Sequence, residues 1–381
     1  MLTMHPTMLV GPYDWDPERI PKEEFTDRIE AFWDRVSEAR FSTAIVYGDS
    51  RNHAELAYLS HFTPKLGPAL MLIPRNGEPT LLVSGAPNML PAARRLTWIE
   101  KTQPLGDARQ TISQWLNESA AAGATASHPG VVLIGGNSMR SALYRPLSET
   151  FGPENPLVDE SSSLRKLMQY KRPRELAIIR EACGMLSAAT KALADAKSSG
   201  ANTTVAMLEA ERVAYQLGSQ DVRTLFSLDG GRTLRPFEEP SDVAVDPLQA
   251  YIAVRHAGYW VEGFIALAPS QYPVLGKAAD ALKVVIGMAV PGARCRDLAR
   301  VAADTIKPYR EHALTMGSIG NSIGLFLEEE PRLLANSEEA LESGCVYTLR
   351  VGASDGTKYH AIVSAMIAVH QQGNDLLWSA I

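Results

Sequence analysis

Gly320-Asn321-Ser322-Ile323-Gly324-Leu325 is the stretch on which the fold of this 381-residue chain turns. It sets a glycine-flanked turn ahead of two apolar runs, 346–351 and 360–369, that read as strands closing a domain. Upstream, strands at 251–254 and 260–268 surround a turn at Gly258-Tyr259. Helices follow at 272–288 and 296–306, with Pro291-Gly292 marking the break between them. Further back, a long helix is entered at Lys171-Arg172-Pro173-Arg174-Glu175 and runs to about Ala196. A second spans 203–217 with Thr203 or Thr204 as its N-cap.

Ahead of Ser161 the pattern differs. Residues 22–40 carry Phe25, Ile29, Phe32, Trp33 and Val36 at helical spacing, and 41–47 read as a strand. Strands at 69–73 and 79–83 are joined by the turn Arg75-Asn76-Gly77-Glu78. A helix at 108–121 and a strand at 131–134 complete an alternating α/β layer. The change of pattern over 161–173 predicts a first domain at 1–162, a mixed sheet covered by helices, and a second at 163–381.

A chain with 45% hydrophobic and 21% charged residues buries cores large enough for two domains. No apolar run reaches the roughly 18 residues that span a membrane, and no leader pattern opens the sequence, so cytoplasm is the expected compartment. A net charge of -6 without basic clusters argues against nucleic acid and anionic membrane as partners and leaves a small molecule. Cys183, Cys295 and Cys345 are odd in number and widely spaced, which predicts buried thiols. The glycines of 227–232 and 317–320 lack the strand-to-helix setting and Lys of a phosphate cradle, and no G-x-S-x-G elbow occurs.

The segments 258–263, 320–325 and 346–369 resemble the pita-bread superfamily of creatinase, prolidase, aminopeptidase P and methionine aminopeptidase. Leu164-Arg165-Lys166 with 171–175 is similar to the R-x-x-K-x-x-x-E entry of that catalytic domain. Tyr58-Leu59-Ser60-His61-Phe62 and 77–83 resemble the N-terminal domain of creatinases and prolidases. The resemblance implies an α/β chain with a creatinase-like N-terminal α/β domain, a C-terminal pita-bread (α+β) domain and a homodimeric assembly.

Metal-dependent members hold two divalent cations with two Asp eleven positions apart, a His in an H-G-I-G-L turn and two Glu on the closing strands. Carried onto this chain, those positions fall on Tyr251, Glu262, Asn321, Arg350 and Ser364. One carboxylate remains, and a guanidinium faces the place where cations would sit, so neither metal nor any other cofactor is expected. Creatinase cleaves a carbon–nitrogen bond on this fold with His and Glu side chains and no metal. Here Phe237, in Pro236-Phe237-Glu238-Glu239-Pro240, takes the corresponding His position.

The resemblance therefore implies a metal-independent hydrolase of a carbon–nitrogen bond in a small polar, carboxylate-bearing molecule. Glu262 and His360 would move protons, Arg350 would hold a carboxylate or oxyanion, and Asn321 would orient the carbonyl. A structural Glu262–Arg350 salt bridge is the bland alternative. His256, Glu328, Glu329, Tyr359, Phe237 and Tyr251 complete the pocket candidates; a strand edge is the bland alternative for His256, solvated surface for at least one residue of the Glu328–Glu330 run, and a turn residue for Asn321. His61, Phe62 and Lys65 match a loop that reaches the partner's site in creatinase-like dimers. Two other outcomes stay open, a non-catalytic binding descendant of the fold and a proton-transfer lyase or cyclase. Convergence of Glu262, Arg350 and His360 would favour an enzyme, whereas a pocket filled by Tyr251, Phe237 and Trp260 would favour binding.

Overall fold

The computed structural model describes residues 13–36, 38, 41–65, 67–124, 130–152, 156–238, 242–268 and 272–381, so the last residues of the helix expected at 22–40 and Glu239-Pro240 lie outside the described residues. Two compact units divide the chain, Met1–Met168 and Gln169–Ile381.

The first unit holds helix α1 (Lys22–Arg35), strand β1 (Phe41–Gly48), helix α2 (Ala54–Ser60), strands β2 (Ala69–Pro74) and β3 (Thr80–Val83), and helix α3 (Leu90–Arg95). It continues through β4 (Lys101–Pro104), α4 (Ala108–Ala121), β5 (Gly130–Ile134), α5 (Ser141–Phe151), β6 (Val158–Asp159) and α6 (Ser161–Gln169). The sheet runs β4-β3-β2-β1-β5-β6. β2 pairs antiparallel with β1 and β3, and the other pairs are parallel. Helix α1 buries Phe25, Arg28, Phe32 and Trp33 at the spacing the sequence shows. Helix α4 begins at 108 because the Asp107 carboxylate accepts the Gln110 amide. Its Ile112 and Trp115 pack on Ile45, Leu72 and Leu133 of the sheet.

The second unit opens with helices α7 (Pro173–Ser198) and α8 (Thr203–Gln216), then a three-stranded antiparallel sheet of β7 (Asp221–Phe226), β8 (Leu248–His256) and β9 (Tyr259–Leu267). Helices α9 (Pro273–Met288) and α10 (Cys295–Thr305) follow. Then come β10 (Arg310–Glu311), β11 (Ser318–Ser322), β12 (Glu329–Leu334), β13 (Val346–Ser354), β14 (His360–His370) and β15 (Gly373–Ser379). The larger sheet runs β12-β11-β13-β14-β15, with β10 on β13. Alternation sorts its strands: Tyr347, Leu349, Val351, Val363, Ala365 and Ile367 pack with Leu282, Val285 and Leu298 of α9 and α10. Each such fully buried aliphatic side chain contributes about 1.5–3 kcal/mol. The even-numbered face carries Thr348, Arg350, Ser364 and Met366 and lies toward β9.

A row of tethers fastens this face to the smaller sheet. The Phe264 amide donates to Ser364 Oγ at 2.8 Å, and the Glu262 amide approaches Met366 Sδ at 3.4 Å. The Gln249 side chain accepts the Ile362 amide at 2.8 Å and donates to the Ile362 carbonyl at 2.9 Å, completing the backbone pairing of early β14. Two expectations change here. The N-cap of α8 is Asn202, whose side chain accepts the Val205 amide, while Thr203 turns its hydroxyl to the Val245 amide. Asn321 lies in strand β11, not in a turn, and is paired with Thr348. The three cysteines are buried and free. Among the described residues no helix is long and apolar enough to cross a membrane.

Candidate functional site

Glu262 sits in the middle of β9 and is 2% exposed. The ladder sets it opposite Ala253 and sets Phe264 opposite Tyr251, so Tyr251 is its diagonal neighbour on the same face. The Tyr251 hydroxyl donates to Glu262 Oε2 at 2.7 Å. The spacing of eleven thus brings two polar groups together across a hairpin, one of them a phenol.

β13 supplies Thr348 and Arg350 two residues apart on one face, and β11 supplies Asn321 as the register partner of Thr348. Gly320 makes that pairing possible, because a Cβ there would meet the Thr348 carbonyl oxygen at 1.9 Å, and its φ of +149° suits glycine. Both donors of the Asn321 amide are used, on the Ser322 carbonyl at 2.9 Å and the Leu327 carbonyl at 3.3 Å. Its free group is therefore the acceptor Oδ1, and it offers a site for an N–H rather than for a carbonyl. Arg350 donates to Ser318 Oγ at 3.4 Å and makes no ion pair with Glu262, so the salt bridge considered above does not form. Four buried atoms on these side chains lack any partner: Glu262 Oε1, Thr348 Oγ1, Asn321 Oδ1 and Arg350 Nε.

Burial is the largest influence on Glu262 and holds its pKa above the usual 4.5; the Tyr251 hydrogen bond, the Arg350 charge and the nearby Thr348 hydroxyl pull the other way, and Glu328 adds to the rise. Thr348 acts from outside good hydrogen-bond geometry. Burial and then the Glu262 carboxyl push the Tyr251 phenol far above its ordinary value, so it remains a donor at working pH.

His360 belongs to a different cluster. It starts β14, four residues before Ser364, which is about 13 Å along a strand. Its Nδ1 lies 2.9 Å from Ser354 Oγ, and its ring meets His312 edge-on at 5.5 Å. His312 Nε2 donates to the Gly231 carbonyl at 2.8 Å, its Nδ1 accepts the Leu314 amide, and burial lowers its pKa. Tyr359 stacks edge-on with Tyr272 along a groove of about 560 Å³ that also meets Asp229, Arg232 and Lys358.

The remaining candidates lie elsewhere. His256 points to the opposite face of β8 from Tyr251 and contacts Glu181 of α7 at 3.0 Å, since one residue of parity reverses a strand side chain. Glu329 is taken up in a buried ion pair with Lys171 at 2.6 Å, and Glu328 pairs with Arg332 at the surface. Phe237 packs on Phe226, ring centroids 5.0 Å apart. In the first unit His61 and Phe62 are buried, His61 holding the Leu96 carbonyl from a left-handed C-cap. Only Lys65 of that trio is exposed, as a reach toward a partner requires.

Thr348 escaped notice in the sequence, although its place two residues before Arg350 is a usable signal. Arg223 escaped too: its register with Ala253 and Glu262 puts it on the same face, a relation that only strand pairing reveals. Among the described residues no group of three or more His, Cys, Asp or Glu is placed to share a metal ion.

Solved structures share this architecture. The X-Pro aminopeptidase from Thermotoga maritima is similar with a TM-score of 0.74 and 17% identity, over 92% of this chain and 96% of that one. The prolidase from Pyrococcus horikoshii gives 0.72 and 16%, over 92% and 97%. The N-terminal domain of FACT complex subunit SPT16 from Cicer arietinum gives 0.68 and 17%, over 94% and 97%. Such identities establish the pita-bread fold and leave chemistry to the residues. No curated protein matches by sequence. Residues 177–371, just over half the chain, match the description Metallopeptidase family M24. The chain is accordingly a member of metallopeptidase family M24, built on that family's peptidase-like hydrolase fold.

Proposed function

We propose that this protein is a metal-independent hydrolase of a carbon–nitrogen bond in a small carboxylate-bearing molecule, working on the face that carries Glu262, Thr348, Arg350 and Asn321. The observation that carries the reading is the group of four partnerless buried atoms on those side chains. Buried polar groups are nearly always satisfied, and each orphan costs about 1–3 kcal/mol, so their concentration around one carboxyl suits a polar ligand.

The donor set does not fit a pair of divalent ions. Hard cations ask for several anionic oxygens. Here the corresponding positions hold a phenol, one carboxyl, an amide whose oxygen alone is free, a guanidinium, and a Ser364 hydroxyl engaged with the Phe264 amide. The permanent charge of Arg350 repels cations outright.

Side chains alone then perform the hydrolysis. Arg350 holds the substrate carboxylate, and Asn321 Oδ1 accepts the N–H of the bond to be cut. Glu262, in its ionised fraction, takes a proton from water as the oxygen attacks the carbonyl carbon, and the Thr348 hydroxyl donates to the resulting oxyanion. The intermediate collapses, the C–N bond breaks, and Glu262 returns the proton to the leaving nitrogen, giving an acid and an amine. A pKa raised above the usual 4.5 suits this two-way role, since it strengthens the base and keeps the conjugate acid able to return the proton. His360 stands too far along β14 to share it.

The test is a panel of dipeptides, N-acyl amino acids and guanidino acids assayed for amine release. Wild type should turn over at least one, and Glu262→Gln should cut the rate by about a hundredfold to ten-thousandfold with the fold intact; retained activity sinks the assignment. The likeness to a FACT complex subunit domain favours a second reading, binding without turnover, which gains if wild type binds panel members and releases no product.

A further inference from the structure

We propose that the molecule bound on this face carries two anionic groups, and that Arg223, stacked on Trp260, recognises the second. The inference deepens the reading above and rests on its assignment of Arg350 as a carboxylate anchor.

The argument begins with strand register. Arg223 is opposite Ala253, and Ala253 is opposite Glu262, so the three stand in line across the small sheet and share the face of Tyr251 and Trp260. The Arg223 guanidinium carbon lies 4.5 Å from the centroid of the Trp260 ring, whose residue is 3% exposed. Stacking uses the flat of the guanidinium and leaves its N–H edge free for the fork-to-fork contact that carboxylates and phosphates favour. Arg255 lies 5.7 Å from the same ring, but its Nε is committed to the Gly258 carbonyl at 3.2 Å. Among the described residues Arg223 forms an ion pair with Asp221 of its own strand alone, at 3.5 Å, the Asp221 and Arg223 side chains being 39% and 58% exposed. A solvated pair of that kind is worth little and yields readily to a better-placed anion.

Charge balance points the same way. Arg223 and Arg350 both act on the Tyr251 hydroxyl, so two permanent cations flank the phenol and carboxyl from different sheets. Burial raises the pKa of Glu262, the acid between them, so its carboxyl offsets the two cations less than an exposed one would. Arg223 and Glu262 are two strand spacings apart, about 10 Å between backbones. A ligand reaching from Arg350, beside Glu262, to Arg223 therefore separates its anions by several bonds. With the scissile C–N bond between them, it is an N-acyl amino acid whose acyl arm ends in a second acid.

Calorimetric titration of the full chain with linear dicarboxylates from succinate to suberate, against monocarboxylates of equal length, tests this. At the best length the diacid should bind wild type at least tenfold more tightly than the monoacid. Arg223→Gln should weaken the diacid about tenfold and leave the monoacid unchanged, and Arg223→Lys, which keeps the charge without the planar fork, should fall between. Equal affinities in wild type, binding of neither acid, or parallel losses in Arg223→Gln overturn the proposal. A diacid preference without hydrolysis of any diacid amide sinks the hydrolase reading and leaves this inference standing; hydrolysis without the preference does the reverse.

Discussion

Glu262→Gln offers the sharpest reading of the site because it removes one titrating group and almost no volume. Tyr251 can still donate to the retained carbonyl oxygen, and the new NH2 stands where Oε1 has no partner, with Asn321 Oδ1 and the Thr348 hydroxyl also unsatisfied. In the unfolded chain the wild-type carboxyl ionises at its usual 4.5, whereas burial keeps it protonated to higher pH in the folded protein. The folded state thus retains a proton that the unfolded state has released. Stability is fully present below 4.5 and declines as pH rises, until the folded carboxyl itself ionises. One proton sets the slope, at most about 1.4 kcal/mol per pH unit. Glutamine does not titrate, so the variant should gain on wild type by up to that amount for each unit, then hold a constant advantage. Urea denaturation between pH 4 and 9, followed through the transition of the second unit, measures the difference. A variant that instead loses ground as pH rises through 4.5 would show that Arg350 keeps the carboxylate ionised, and would refute the reasoning.

Two further outcomes test the framework around the site. Removing one partner of the Lys171–Glu329 pair, whose side chains are 2% and 7% exposed, should cost about 3–5 kcal/mol in Lys171→Met, with much of the loss recovered in a Lys171→Met, Glu329→Leu double variant; denaturation midpoints of the three proteins decide it. In the first unit, burial lowers the pKa of His61 from 6.5 to about 4, so its contribution is present above 6.5 and disappears as pH falls toward 4. His61→Asn tolerates the φ of 63° and should remove about 3 kcal/mol of acid sensitivity in that window; an unchanged acid limb would contradict the assignment.

Much of the fold could be read in advance because it is written in periodicity. The runs at 346–351 and 360–369 extend to Ser354 and His370 as strands, and the helix at 108–121 has those limits. Strand β15 escaped because its few apolar residues, Leu376 and Trp378 among them, show no sustained pattern, and β10 has only two residues. Within the site, the resemblance set Glu262 and Arg350 facing inward from former ligand positions, and the Arg350 charge does act on the Glu262 carboxyl. The same resemblance put His360 with them, but a short step in sequence along an extended strand is a long step in space, and His360 sits with Ser354 and His312. His256 is turned off the face by one position of parity, in keeping with its strand-edge reading, and Glu329 is drawn away by a lysine 158 residues distant that no local signal announces.

The tethers along β14 carry a mechanical consequence. Ile362, Ser364 and Met366 stitch this strand to β8 and β9 at successive steps, partly through main-chain amides that have nowhere else to turn. The seam between the sheets is therefore closed along one margin like the spine of a book. Arg223 stands two strands from Glu262, on the far edge of the small sheet and with its side chain 58% exposed, so the arginine proposed to select a visitor is also one that solvent reaches freely.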